Sequence, residues 1–153
     1  MNDILMTCDQ NQCTLLVMLD LSAAFDTVNH SILIKRLETQ VGLQGTVIDW
    51  TKSYLQDRTQ SVMITNCCST KKTKDCDVPQ GSVLGPDDYS DFTVPLGDLI
   101  RNHCIIPSFY ADDSQKYTHF DPKSMEDTER AIKQMESCCD NVKSWFTCYH
   151  LKT

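Results

Sequence analysis

The apolar positions of this chain form two kinds of run. Residues 13–20, CTLLVMLD, make an unbroken apolar stretch that closes on an acid, the pattern of a fully buried strand. Residues 105–110 form a second such run, interrupted only by Pro107 and Ser108, and the acids Asp112 and Asp113 follow it. Residues 115–120 read as its hairpin partner, and the β-branched positions of 60–65, QSVMIT, predict a further strand. Elsewhere the spacing is helical. Asn29 predicts a cap for a helix over 30–39, with Ile32, Leu33, Arg36 and Leu37 on a mixed face. Gly42 and Gly45 punctuate a turn, and a second helix runs from Thr46 to about Leu55, with Val47, Trp50, Tyr54 and Leu55 near helical spacing. Residues 66–77 are polar and rich in lysine, as in a loop or exposed hairpin.

Two glycines bracketed by two prolines mark 79–86 as a loop, and a helix over about 87–102 follows. Ser124 with Asp127 then fits a capping-box variant. The long helix it opens carries Met125, Ile132, Met135, Cys139, Val142 and Phe146 at steps of three, four or seven, a stripe read as core packing. Strands mixed with helices, ending in a hairpin and a helix, predict an α+β fold with helices packed on one face of an antiparallel sheet.

Composition narrows the class. The 153 residues suffice for one compact domain, and 41% hydrophobic with 23% charged residues excludes a wholly disordered chain. No apolar run approaches the ~18 residues of a membrane span. The first ten residues lack the basic and apolar regions of a secretory signal, so the expectation is an intracellular protein that is not secreted. In that setting the nine cysteines read as reduced thiols. No C-x-x-C pair occurs, and a structural zinc would have to recruit His103 or Cys104 through the fold.

The net charge of −7 argues against nucleic acid until its distribution is considered. Residues 1–34 carry four acids and no lysine or arginine, 35–74 carry seven bases against three acids, and 75–153 carry seven bases against fourteen acids. A basic middle flanked by acidic ends suits a phosphate backbone on one face, and equally a solvated surface. Arg58 and Lys71, Lys72 and Lys74 carry the same two readings.

The chemistry sits at the ends of the apolar runs. An acid after a buried strand is costly unless it is solvated or bound to something positive. Asp is also a common turn residue, so Asp112 and Asp113 alone suit a tight hairpin. If the strand before Asp20 lies beside the strand before Asp112, however, these carboxylates converge at one sheet edge. Two or three convergent carboxylates are hard oxygen ligands suited to Mg²⁺.

Three strings, in this order, strongly resemble the palm motifs of reverse transcriptases: LDLSAAFDTVNH at 19–30, PQGSVLGP at 79–86 and FYADDSQ at 109–115. The nearest likeness is to LINE-type non-LTR retrotransposon polymerases, and the text around Trp50, at 53–62 and at 138–152 shares it. The resemblance implies a polymerase palm-like sheet and an RNA-directed DNA polymerase that joins a dNTP to a primer 3′-hydroxyl. It implies an RNA template, a DNA primer and two Mg²⁺ ions, with Mn²⁺ as a substitute. Asp20 and Asp112 would be the principal metal ligands, Asp113 a weaker one, and the backbone carbonyl of Leu21 a further donor. Phe25 would be the steric gate against a ribose 2′-hydroxyl, a ring that also suits core packing. Gln80 and Gly81 would contact the nucleotide and template.

The same resemblance implies that fingers and thumb belong to a longer polyprotein, so that 1–153 is a palm fragment, inactive alone and nuclear if part of an active element. The likeness departs at one place. Asp88 and Asp91 stand where the family packs apolar side chains, and a buried unpaired acid there costs several kcal/mol at order of magnitude. Two further readings stay open: a non-catalytic remnant or recruited nucleic-acid- or protein-binding module of the same fold, and an unrelated metal-dependent phosphotransfer or structural domain.

Overall fold

A computed structural model describes residues 2–19, 24–79, 81–110, 113–149 and 151. Contacts divide the chain into two compact units, one made of Met1–Ser22 with Thr93–Thr153 and the other of Ala23–Phe92.

The first unit is built on a three-stranded antiparallel sheet. Its strands are β1 (Cys13–Leu19), β6 (Ile106–Tyr110) and β7 (Asp113–Phe120), in the order β1-β7-β6. Residues Cys13 to Leu19 pair with Phe120 to Ser114, and Ile106 to Tyr110 pair with Tyr117 to Asp113. Paired residues share a face. Ser114, Lys116 and Thr118 therefore point with Leu15, Val17 and Phe109 toward the helices, and all three residues of β7 are buried.

The covering helix is α5 (Met125–Cys148), capped by the Ser124 hydroxyl, which accepts from Asp127 N–H at 3.2 Å. Such a cap contributes about 1 kcal/mol. Helix α5 buries Ala131, Met135, Cys138, Val142, Trp145 and Phe146. The stripe read from the sequence is shifted: Met125 and Ile132 are exposed, and Cys138 rather than Cys139 is the fully buried thiol. The end of α4 (Gly85–Arg101) approaches the same face, where a Cβ on Gly97 would lie 3.3 Å from the Phe109 ring.

The expected α+β class with an antiparallel sheet holds. The expectation of a fully buried first strand does not. Strand β1 is an edge, and Leu16 and Met18 are 39% and 70% exposed. Strand β6 is largely exposed as well. Helices α4 and α5 shield one face of the sheet, so an aliphatic run records apolar character without reporting how many faces are covered. A helix unforeseen in the sequence, α1 (Asn2–Asp9), meets the opposite face. There the Tyr117 hydroxyl donates to Asp3 Oδ2 at 3.0 Å, and Thr7 Oγ1 lies 3.4 Å from His119 Nε2.

The second unit holds a 3₁₀ turn at Ala24–Thr27, α2 (His30–Arg36) running into a π turn at Leu37–Val41, and α3 (Thr46–Leu55). Asn29 caps α2 as expected, its Oδ1 accepting from Ile32 N–H at 3.1 Å. The single strand expected over 60–65 is instead split between two short pairs. Strand β2 (Thr59–Gln60) pairs with β5 (Lys72–Thr73), and β3 (Met63–Ile64) pairs with β4 (Cys67–Cys68). All eight residues are exposed. Buried in this unit are Val28, Leu33, Leu37, Ile48, Leu55, Val78, Tyr89 and Phe92, and the Arg36 guanidinium lies 4.5 Å over the Phe92 ring.

Candidate active site

The first unit sets two strand ends side by side. Strand β1 runs antiparallel to β7, and its last residue, Leu19, pairs with Ser114. Tyr110 pairs with Asp113 where the β6–β7 hairpin closes. Leu19 directly precedes Asp20 in the sequence, and Asp113 directly follows Asp112. The expectation that β1 lies beside β6, the strand before Asp112, does not hold: the hairpin places β7, the strand that begins at Asp113, between them, and β1 is the neighbour of β7. Asp113 is exposed, and it shares a sheet face with Tyr110, Gln115 and Met18 that α5 does not cover. Asp20, Leu21, Gln80 and Asp112 lie outside the described residues. Among the described residues no group of three or more His, Cys, Asp or Glu could hold a metal ion.

The second unit carries Phe25 and Gly81. Phe25 sits in the 3₁₀ turn, half-buried, its ring 5.1 Å from that of the buried Tyr89. The packing role expected of this ring is thus present. Val78 N–H donates to Phe25 O at 2.8 Å, so the segment ahead of the glycine loop is tied to the aromatic turn. Gly81 takes φ +85°, a conformation that L side chains rarely adopt, in a turn where Ser82 N–H reaches Pro79 O at 3.0 Å. Ser82 Oγ then accepts from Gly85 N–H at 2.9 Å and opens α4. A Cβ on Gly85 would stand 3.2 Å from Pro79 O, so the second glycine permits close packing of the loop.

The first two turns of α4 carry the two acids at which the family likeness departs, Asp88 and Asp91. Asp88 is buried, and its Oδ2 has no hydrogen-bond partner among the described residues. Burial pushes its carboxyl up to about 6, with the Asp91 and Asp87 charges adding to the effect. Asp91 is raised as well, by burial and then by Asp87. A helix N-terminus stabilises an acid by about 0.3–1 kcal/mol, which desolvation here outweighs.

Of the four basic side chains considered for phosphate, Lys71 and Lys72 are exposed. Arg58 and Lys74 instead meet at the buried Asp77, 3.3 and 3.0 Å from its Oδ2. His30 completes the cluster, its Nε2 lying 3.2 Å from Asp77 Oδ1 and 2.8 Å from Asp77 O. Neither His30 nor Asp77 was singled out from the sequence. The available signal was their place: His30 ends the first recognised string, and Asp77 stands two residues before the second. His103 is paired with Asn141, whose Nδ2 lies 2.9 Å from the ring Nε2. All nine cysteines are free.

Comparison with known proteins gives the family. The family model for reverse transcriptase (RNA-dependent DNA polymerase) matches residues 2–152. A probable RNA-directed DNA polymerase from transposon BS of Drosophila melanogaster is 36% identical over 115 residues, which cover 72% of this chain and 12% of that protein. The RNA-directed DNA polymerase from mobile element jockey of Drosophila funebris is 36% identical over 101 residues, covering 62% of this chain and 11% of that protein. The chain thus spans about an eighth of the length of these relatives.

Proposed function

Because the chain belongs to the reverse transcriptase (RNA-dependent DNA polymerase) family, we propose that it is the palm of a LINE-type polymerase and carries the reaction centre for nucleotidyl transfer. The observation that carries the reading is the antiparallel register of β1 and β7, with Leu19 opposite Ser114 and Asp113 at the hairpin's close. The donor set suits Mg²⁺: the carboxylates of Asp20, Asp112 and Asp113 and the Leu21 carbonyl are all hard oxygens. Those groups would hold a pair of Mg²⁺ ions, whose positive charge would lower the pKa of the primer 3′-hydroxyl and offset charge on the departing pyrophosphate.

In this reading the chain's own residues position the reactants. The primer 3′-oxygen forms a bond to the α-phosphorus of the dNTP, and the bond to pyrophosphate breaks. Phe25 presents a ring edge that a 2′-hydroxyl would strike, so deoxynucleotides are favoured. Gln80 and Gly81 line the nucleotide, and the absence of a Cβ at Gly81 lets backbone approach it closely. RNA template and DNA primer lie across the exposed end of the sheet at Tyr110, Asp113 and Met18, away from α1. Fingers and thumb belong to a longer polyprotein, and the isolated chain does not extend a primer by itself.

A second reading, a non-catalytic copy of the same fold, draws support from Asp88 Oδ2 and Lys116 Nζ, both buried without a hydrogen-bond partner among the described residues. Mn²⁺ binding by electron paramagnetic resonance separates the two, since Mn²⁺ takes the same oxygen ligands. With circular dichroism as the check on folding, Asp20→Asn and Asp112→Asn each weaken Mn²⁺ binding about tenfold or more, and Asp113→Asn weakens it less. Equal binding by all the folded proteins would remove the carboxylate site and leave the non-catalytic reading.

A further inference from the structure

We propose that Asp77 is a positioning residue that holds the Phe25 turn and the 75–78 segment leading into Pro79 in one register. The inference rests on the reading above, in which Phe25 and Gly81 face the incoming nucleotide, and it names the group that ties Phe25 to the segment ahead of Pro79.

Three backbone hydrogen bonds join the two segments. His30 N–H reaches Asp75 O at 3.1 Å, Asp77 N–H reaches Val28 O at 3.0 Å, and Val78 N–H reaches Phe25 O at 2.8 Å. Asn29 and Cys76 form the antiparallel bridge between them. A two-stranded pairing this short is marginal unless something else fixes it. Asp77 supplies the fixation. Its side chain is 6% exposed, and both carboxylate oxygens are occupied, Oδ1 by His30 and Oδ2 by Arg58 and Lys74.

The three partners come from separate places: His30 opens α2, Arg58 lies just before β2, and Lys74 follows β5. One buried carboxylate therefore ties the aromatic turn, the exposed hairpin and the strand that leads into Pro79. The histidine contact also defines a tautomer. Both atoms facing His30 Nε2, Asp77 O and Oδ1, are acceptors, so Nε2 carries the proton and donates to both.

The cluster acts locally. The side chains of Arg58 and Lys74 are 26% and 24% exposed, so without Asp77 they can turn to water. His30 is only 10% exposed and would keep the Asp77 carbonyl as its acceptor. Loss of the carboxylate thus frees the 75–78 segment from the hairpin and loosens its hold on Phe25, while α2 and α3 keep their packing.

Amide hydrogen exchange on the 153-residue chain tests this, with global stability measured by denaturant and nucleotide preference by competition of dATP against ATP in Mn²⁺. In Asp77→Asn the amides of His30, Asp77 and Val78 exchange at least tenfold faster, those of β7 do not change, and the preference for dATP falls several-fold. Asp77→Glu restores part of both. Unchanged protection at the three amides overturns the proposal. So does a loss shared equally by β7, which marks a merely structural role.

Phe25→Val serves as the control on the underlying reading. If it alters the dATP preference and Asp77→Asn does not, the positioning role falls and the nucleotide site stands. If Phe25→Val has no effect, the nucleotide reading itself falls, and the proposal with it. Should Asp77→Asn fail to fold, Lys74→Gln removes one of the three partners and carries the same measurements, with the same pattern expected at smaller size.

Discussion

Asp88 shows how one side chain writes a pH dependence into stability. Its carboxyl titrates near 6 in the folded chain and near 3.8 when unfolded. Between those values the folded state holds more protons, so its stability falls as pH rises from about 4 to about 6 and is level above. Asp88→Asn lacks this slope. The wild type is expected to lose on the order of 2 kcal/mol relative to the variant over that window, after discount for solvent screening. Urea unfolding of both proteins at pH 4, 5, 6 and 7 measures the difference. A gap that stays constant with pH would mean that Asp88 is ionised throughout. The acid itself was legible in the sequence as a misfit. Its burial was not, because the first turn of a helix can face either way.

At the scale of elements, the pairing of β7 with α5 carries a similar conflict. Lys116 lies on the central strand, is 1% exposed, and has no hydrogen-bond partner for Nζ among the described residues. It faces α5 near Cys138, whose thiol burial pushes up and the Lys116 charge pulls back less strongly. A buried charge without a partner is expensive, and an apolar side chain of similar length removes the cost. Lys116→Leu is expected to stabilise the chain by roughly 1–3 kcal/mol, raising Tm by several degrees. Thermal unfolding followed by circular dichroism checks this, and a lower Tm would show that the ammonium is compensated. The alternation on β7 gave no warning. Ser114, Lys116 and Thr118 are all polar and all buried, whereas the apolar Leu16 and Met18 of β1 are exposed. A period of two identifies which residues share a face, and the helix packed above decides which face is covered.

At the scale of the whole molecule, the free cysteines offer a direct reading of what is open. Cys8, Cys13, Cys67, Cys68, Cys104 and Cys148 are exposed, Cys76 and Cys139 are half-buried, and Cys138 is buried. Thiol titration of the native chain is expected to show the six exposed groups reacting first and Cys138 only on unfolding, since the thiolate is the reactive form and burial disfavours it. Reaction of Cys138 at the rate of the exposed thiols would mean that the β7–α5 core opens readily. Charge divides along the same lines. The basic stretch 35–74 falls wholly in the Ala23–Phe92 unit, where Arg58 and Lys74 spend their charge on Asp77 and Lys52 meets Glu38. By itself the sequence determined the family, the α+β class, the caps at Asn29 and Ser124, and the three ordered strings, because local spacing and local hydrogen bonding are properties of neighbouring residues. Tertiary structure decided what depends on distant partners: that β1 is an edge, that Asp88 and Lys116 are buried, and that His30, Arg58 and Lys74 meet at Asp77. Those outcomes are set by which surfaces exclude water and which charges end within a few ångströms, and no periodicity along the chain encodes either.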